Sequence, residues 1–159
     1  MNKKPITPTR HETLVFERRI AAPPEAVFAA YADLEMRTIW TTPSPTAAVV
    51  YESDQFQVGG EDTFKCGSSD DLRFAGTVRY LDIVAAQRIV YSELISADGP
   101  LAASLVTWNL FPDRAGTRLV VTDQVASFVG DDMIDGSHAG MNAALNNLVE
   151  LLEQDGMTP

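Results

Sequence analysis

The sequence predicts a single α+β domain, and three observations carry that expectation. The chain has 159 residues, about the length of one domain. Between residues 47 and 128 it runs as short segments of strand character separated by turn signals. Its last segment repeats apolar residues at helical spacing. Strands grouped together and followed by one long helix suit an α+β layer architecture better than an alternating α/β one.

The elements follow in order. Residues 1–12 are polar with two prolines and are expected to form a flexible leader. Residues 14–20 read as a strand with Leu14, Phe16, Arg18 and Ile20 on one face. Pro23-Pro24-Glu25 is a helix start, because proline is tolerated in the first turn and Glu suits the positive end. Val27, Phe28 and Tyr31 give that helix its apolar face. Asp33 is placed to cap a second short helix that runs through Trp40, and Pro43-Ser44-Pro45 ends it. Strands follow at 47–51, 62–66, 72–83, 88–95, 102–111 and 117–128, with Gly59-Gly60 as a break that admits positive φ. Short links make consecutive strands antiparallel neighbours. In the final helix Met141, Ala144, Leu145, Leu148 and Leu152 share a stripe, with Asn142, Asn146 and Glu150 opposite. Its start is open between Asp132 and Ser137, and Gly156 is the expected stop.

Composition narrows the partners. Hydrophobic residues are 45% and charged residues 21% of the chain, an ordinary globular balance. Twelve Lys and Arg against 22 Asp and Glu give a net charge of −10. Such a chain repels phosphates, so nucleic acid is not an expected partner, and anionic membrane surfaces are disfavoured on the same ground. The longest uncharged stretches, 38–51 and 99–112, fall short of the roughly 18 apolar residues of a membrane span. The basic start Met1-Asn2-Lys3-Lys4 leads into no apolar run, so no signal peptide is expected. With Cys66 as the only cysteine, neither an internal disulfide nor a cysteine-based zinc cluster can form. A cytoplasmic location is the expectation.

An ordered series of segments resembles a known family. The run Arg18-Arg19-Ile20-Ala21-Ala22-Pro23-Pro24-Glu25-Ala26-Val27-Phe28-Ala29-Ala30-Tyr31, followed by Asp33 and Trp40, opens it. Phe56-Gln57-Val58-Gly59-Gly60, then Gly76-Thr77-Val78 leading to Arg88-Ile89-Val90-Tyr91, continue it. Gly116-Thr117-Arg118-Leu119 and Gly140-Met141 with Leu145 and Leu148 close it. The series is similar to the SRPBCC (START-like) superfamily, and within it to the branch named after the C-terminal domain of the heat-shock-ninety ATPase activator. Met141 stands where that branch usually has Trp, and Glu93 where it often has an aromatic. The resemblance spans about residues 13–154. It implies a helix-grip fold, a curved antiparallel sheet wrapped around the C-terminal helix with a cavity between them. It divides the chain into a leader (1–12), one START-like domain (13–156) and a tail (157–159). It implies binding of a small hydrophobic or amphipathic molecule. A cyclase- or hydrolase-like enzyme using cavity carboxylates, or a chaperone-modulating interaction module, are the alternatives, and a homodimer fits any of them.

The residues themselves carry no catalytic motif. Phosphate loops, Gly-x-Ser-x-Gly and His-Glu-x-x-His are absent, so neither a cofactor nor a metal is expected. Strand parity is more informative. It puts Tyr91 and Glu93 on one face, and Leu119, Val121, Asp123 and Val125 on one face. His138 borders the helical stripe at Met141 and Leu145. If these faces line the cavity, Arg18, Glu93, Asp123 and His138 point at apolar space and need partners or shifted pKa values; the plainer reading pairs Arg18 with a rim carboxylate. Trp40, Phe64, Phe74, Tyr91 and Trp108 either wall a ligand pocket or fill the core. Cys66 shares parity with Phe64 and reads as a packed small hydrophobe rather than a nucleophile; a dyad with His138 requires a proximity that sequence does not supply. The expected ligand-binding set is therefore these five aromatics with Glu93, Asp123, His138, Met141 and Leu145.

Overall fold

A computed structural model describes residues 6–156, with Asp155 and Gly156 through their backbone alone. The first five residues of the expected leader and the whole of the expected tail, 157–159, lie outside the described residues. Seven strands and three helices follow in the order β1 (Arg10–Ile20), α1 (Pro24–Ala32), α2 (Leu34–Thr41), β2 (Ala47–Ser53), β3 (Glu61–Ser68), β4 (Asp71–Val84), β5 (Arg88–Ser96), β6 (Pro100–Asp113), β7 (Gly116–Ser127) and α3 (Asp132–Gly156). The strands form one sheet in the order β1-β7-β6-β5-β4-β3-β2, antiparallel throughout. This is the helix-grip architecture: a curved sheet closed over by α3.

Turn chemistry sets the meander. The links after β4, β5 and β6 each place one non-glycine residue in the left-handed region: Ala86 at φ 61°, Asp98 at 54° and Arg114 at 58°. Such residues let tight hairpins match the twist of their strands. Alternation then sorts the faces. In β7, Thr117, Leu119, Val121, Asp123, Val125 and Ser127 are all buried, while none of the residues between them is. β1 begins at Arg10, four residues before the expected start, and Arg10-His11-Glu12 pair with Ser127, Ala126 and Val125.

The helices are fixed by caps and anchors. Asp33 accepts a hydrogen bond from the Met36 N–H at 2.8 Å, so α2 starts where the sequence indicated. Trp40 donates from Nε1 to the Ala30 carbonyl at 2.9 Å, and Asn147 of α3 donates to the Trp40 and Thr42 carbonyls at 3.3 and 3.0 Å. Those carbonyls end α2 and would otherwise lack partners. α3 starts at Asp132, which settles the open start in favour of the longer helix. Leu145, Leu148 and Leu152 pack with Phe16, Ile20, Leu119 and Val121 in the main core. Arg18 departs from expectation. Among the described residues it meets no rim carboxylate but donates to the carboxamides of Asn142 and Asn146 at 2.9 and 3.2 Å, so both asparagines reach β1, Asn142 half-buried and Asn146 still exposed.

Candidate functional site

The stripe of α3 that faces the sheet changes size along its length. Its C-terminal half carries leucines; its N-terminal half carries Met133, Gly136, Ser137, Gly140, Met141 and Ala144, which recur at i, i+3, i+4. Small residues cannot reach the sheet, and a cavity of about 740 Å³ remains beneath them. Its floor is the concave face of β2 to β7, and α2 supplies one wall. A space of this size matches small-molecule sites, which run to about 300–1,000 Å³.

Eight of the ten residues expected at a ligand site line this cavity. Trp40, Tyr91 and Trp108 are buried and serve both as core and as wall. Phe64 and Phe74 are half-buried on β3 and β4, and Met141 looks down from α3. Glu93 and Asp123 complete the eight. Two do not line it. Leu145 is fully buried in the leucine-packed half. His138 is exposed and stacks beside Phe16 of β1, ring centroids 5.6 Å apart. Its position three residues before Met141 turns it to the flank of the stripe, away from the cavity.

Glu93 and Asp123 sit two strands apart, with β6 between them. Glu93 opposes Ser104 and Asp123 opposes Val106. Burial, reinforced by the charge of Asp123, pushes the Glu93 carboxyl up to about 7. Burial also raises Asp123, against a hydrogen bond from Ser104 that favours its charged form. The other buried polar groups of β7 are satisfied: Thr117 donates to the Ala22 carbonyl at 2.7 Å and Ser127 to the Gly130 carbonyl at 2.6 Å. Asp123 Oδ1, Trp108 Nε1 and Arg37 Nε are buried and have no hydrogen-bond partner among the described residues. Unmet buried groups of this kind call for an explanation such as a ligand or water.

Sequence reasoning missed a buried polar brace at the α2 wall. Arg37, 1% exposed, donates to the Tyr31 carbonyl at 2.6 Å, to Asp54 Oδ1 at 2.6 Å and to Asp62 Oδ2 at 3.2 Å. Asp62 also accepts from the Tyr80 hydroxyl and from the Gln55 N–H at 2.9 Å, and the Tyr80 and Tyr31 hydroxyls lie 3.2 Å apart. Burial raises Asp62 above the ordinary carboxylate range, while Tyr80, Gln55 and Arg37 favour its charged form. Burial also raises the Tyr31 and Tyr80 phenols, which stay protonated and act as hydrogen-bond donors. The helical spacing of Arg37 and Trp40, i and i+3, was the available signal, since a charge three residues from a buried Trp shares its face.

Two further wall features shape the space. Phe64 lies across Gly76, where an added Cβ would fall 2.1 Å from the ring, so this glycine permits the close approach that seats the ring. Cys66 faces the same cavity, and burial followed by the charge of Glu93 raises its thiol. His138 flanks β1 at one edge of the sheet and Cys66 lies on β3 near the other, so no dyad forms. Among the described residues no group of three His, Cys, Asp or Glu side chains is placed to hold a metal ion, and no helix is long and apolar enough to cross a membrane. What remains is a chamber that can hold an apolar body against aromatic walls and meet a polar group at two carboxylates, the buried Asp123 and the half-buried Glu93. One of those carboxylates is poised to exchange a proton near neutrality.

Comparison with known proteins agrees with this geometry. The family model described as Activator of Hsp90 ATPase homolog 1-like protein matches residues 21–153. An uncharacterized protein from Rhizobium leguminosarum has 28% identity and a TM-score of 0.82, covering 92% of this chain and 97% of its own. The Mll3558 protein from Rhizobium loti has 32% identity and a TM-score of 0.78, covering 91% and 99%. Protein CV1439 from Chromobacterium violaceum, at 23% identity and a TM-score of 0.78 over 89% and 96%, shares the fold. A search of curated proteins returned no match.

Proposed function

The chain belongs to the family of Activator of Hsp90 ATPase homolog 1-like proteins, and on that premise we propose that it binds a small hydrophobic or amphipathic molecule between α3 and the sheet. The observation that carries this reading is the cavity of about 740 Å³, walled by Trp40, Phe64, Phe74, Tyr91 and Trp108 and carrying Glu93 and Asp123. Apolar walls with a few placed polar groups are the usual makeup of a ligand site. The test is native mass spectrometry of gently purified protein, followed by thermal-shift screening of what it retains. A ligand at 100 times its dissociation constant stabilises the fold by about 2.7 kcal/mol. Met141→Trp, which puts an indole into the space, removes that shift while leaving the free protein folded. A hit that binds the Met141→Trp chain equally well occupies some other surface.

A second reading, turnover of the bound molecule, rests on Glu93. A carboxyl titrating near 7 suits general acid–base work at neutral pH. Glu93→Gln then retains ligand and loses turnover. A product that forms at the same rate in the Glu93→Gln variant removes this reading and leaves binding intact.

A further inference from the structure

We propose that the cavity selects a hydrophobic amine, with its apolar body against the aromatic wall and its ammonium group between Glu93 and Asp123. This rests on the binding reading above and deepens it. The charges facing the cavity are one-sided. Its basic side chain among the described residues is Arg37, whose charge Asp54 and Asp62 already neutralise and whose Nη groups they and the Tyr31 carbonyl engage, leaving only its Nε without a partner. Glu93 and Asp123 take part in none of the ion pairs among the described residues, and Asp132 adds a further carboxylate. A carboxylate ligand would enter a chamber that offers it no free cation and repels it. An ammonium group meets the opposite situation, and desolvated ion pairs gain strength in a low-dielectric site.

The second observation is Asp123 itself. It is 4% exposed, it lines the cavity, and its Oδ1 has no partner, although Thr117 and Ser127 on the same face of β7 are both satisfied. An N–H donor from a ligand supplies what that face lacks. The Trp108 and Tyr91 rings beside the carboxylates add cation–π attraction. A metal cation does not fit, because no third His, Cys, Asp or Glu joins these two carboxylates among the described residues. Burial first and the charge of Asp123 second raise the Glu93 carboxyl, and a cation between the two groups favours the ionised form of both.

The experiment compares decylamine, decanol and decanoate, each below its micelle concentration, by calorimetric titration of the full chain at pH 7.5. The amine binds about tenfold or more tighter than the alcohol, and decanoate binds weakest. Asp123→Asn and Glu93→Gln each lower the amine's affinity by more than the alcohol's, so that the amine's advantage narrows. Met141→Trp weakens both, which separates cavity binding from attraction to the acidic surface. Melting of the free variants checks their folding, and Asp123→Asn melts higher because it removes a buried unpaired charge. Decanoate binding as tightly as decylamine, or an amine advantage that persists in both carboxamide variants, overturns the proposal while the alcohol's binding keeps the cavity reading. If none of the three binds, both fall.

Discussion

The two halves of α3 meet the same sheet and do opposite things with it. The C-terminal half drives Leu145, Leu148 and Leu152 between Phe16, Ile20, Leu119 and Val121, and the contact is solid core. The N-terminal half presents Gly136, Ser137, Gly140 and Ala144 over Phe74, Tyr91 and Trp108, and the contact is open space. The helix stripe continues unbroken through both; only side-chain volume changes. Close packing holds the first half together. The second half packs through Ile134 and Met133 against Ala102 and Val125, and at the α2 wall the Arg37–Asp62–Tyr80–Tyr31 network stands instead of apolar packing. A cavity therefore needs both small residues that create room and a rigid polar brace that keeps the walls where they are.

Substitutions on either side of this division can break it. The largest effect is expected at the brace: Arg37→Met leaves Asp62 buried without its cation and costs about 3–5 kcal/mol, the range for a broken buried pair, read by denaturant unfolding. A loss under about 1 kcal/mol would show that the wall stands without it. Leu148→Ala in the filled half costs about 2–5 kcal/mol, whereas Met141→Ala, which borders space already open, costs under about 1 kcal/mol. Equal losses at the two sites would erase the distinction between the halves. Glu93 sets a pH signature. Its folded pKa of about 7 lies above the ordinary value of 4.5, so the folded state holds the proton more tightly. The group's contribution is full below about pH 4.5 and is lost as pH rises through 7, a decline on the order of 1–3 kcal/mol. Glu93→Gln flattens stability over that window and makes the protein more stable at pH 8; an unchanged slope would place the carboxyl in water. The smallest effect is at Gly140. Nothing lies within 4 Å of a Cβ built there, so Gly140→Ala raises stability by about 0.5–1 kcal/mol through helix propensity alone.

How legible the molecule was in its sequence follows the range of the forces involved. The strands and their faces were readable because a period of two is local, and it placed Glu93 and Asp123 on inward faces without any knowledge of the cavity. The start of β1 was not readable, since Arg10, His11 and Glu12 carry no apolar signal and are ordered by pairing with β7. His138 was misplaced because a helical stripe is broad, and a residue on its flank can turn toward Phe16 as easily as toward the cavity. Arg37 was overlooked because its partners Asp54 and Asp62 are far along the chain, and only folding shows that a charged side chain is enclosed. The hollow itself was partly written in Gly136 and Gly140, which a search for apolar periodicity skips, since glycine reads as a break and not as room.

The sheet order has a consequence for how the chain assembles. β1 emerges first during synthesis yet pairs with β7, so Phe16 meets Val121 only after about a hundred further residues exist. Strands β3 to β7 each pair with their sequence neighbour through short links and can form a meander while β1 waits. Closing so long a loop is entropically costly and slow, which places β1 docking after the folding barrier. Phe16→Ala is then expected to speed unfolding while leaving the folding rate nearly unchanged, a φ-value near zero. A φ-value near one, measured by stopped-flow chevron analysis, would instead make the two ends of the chain the nucleus.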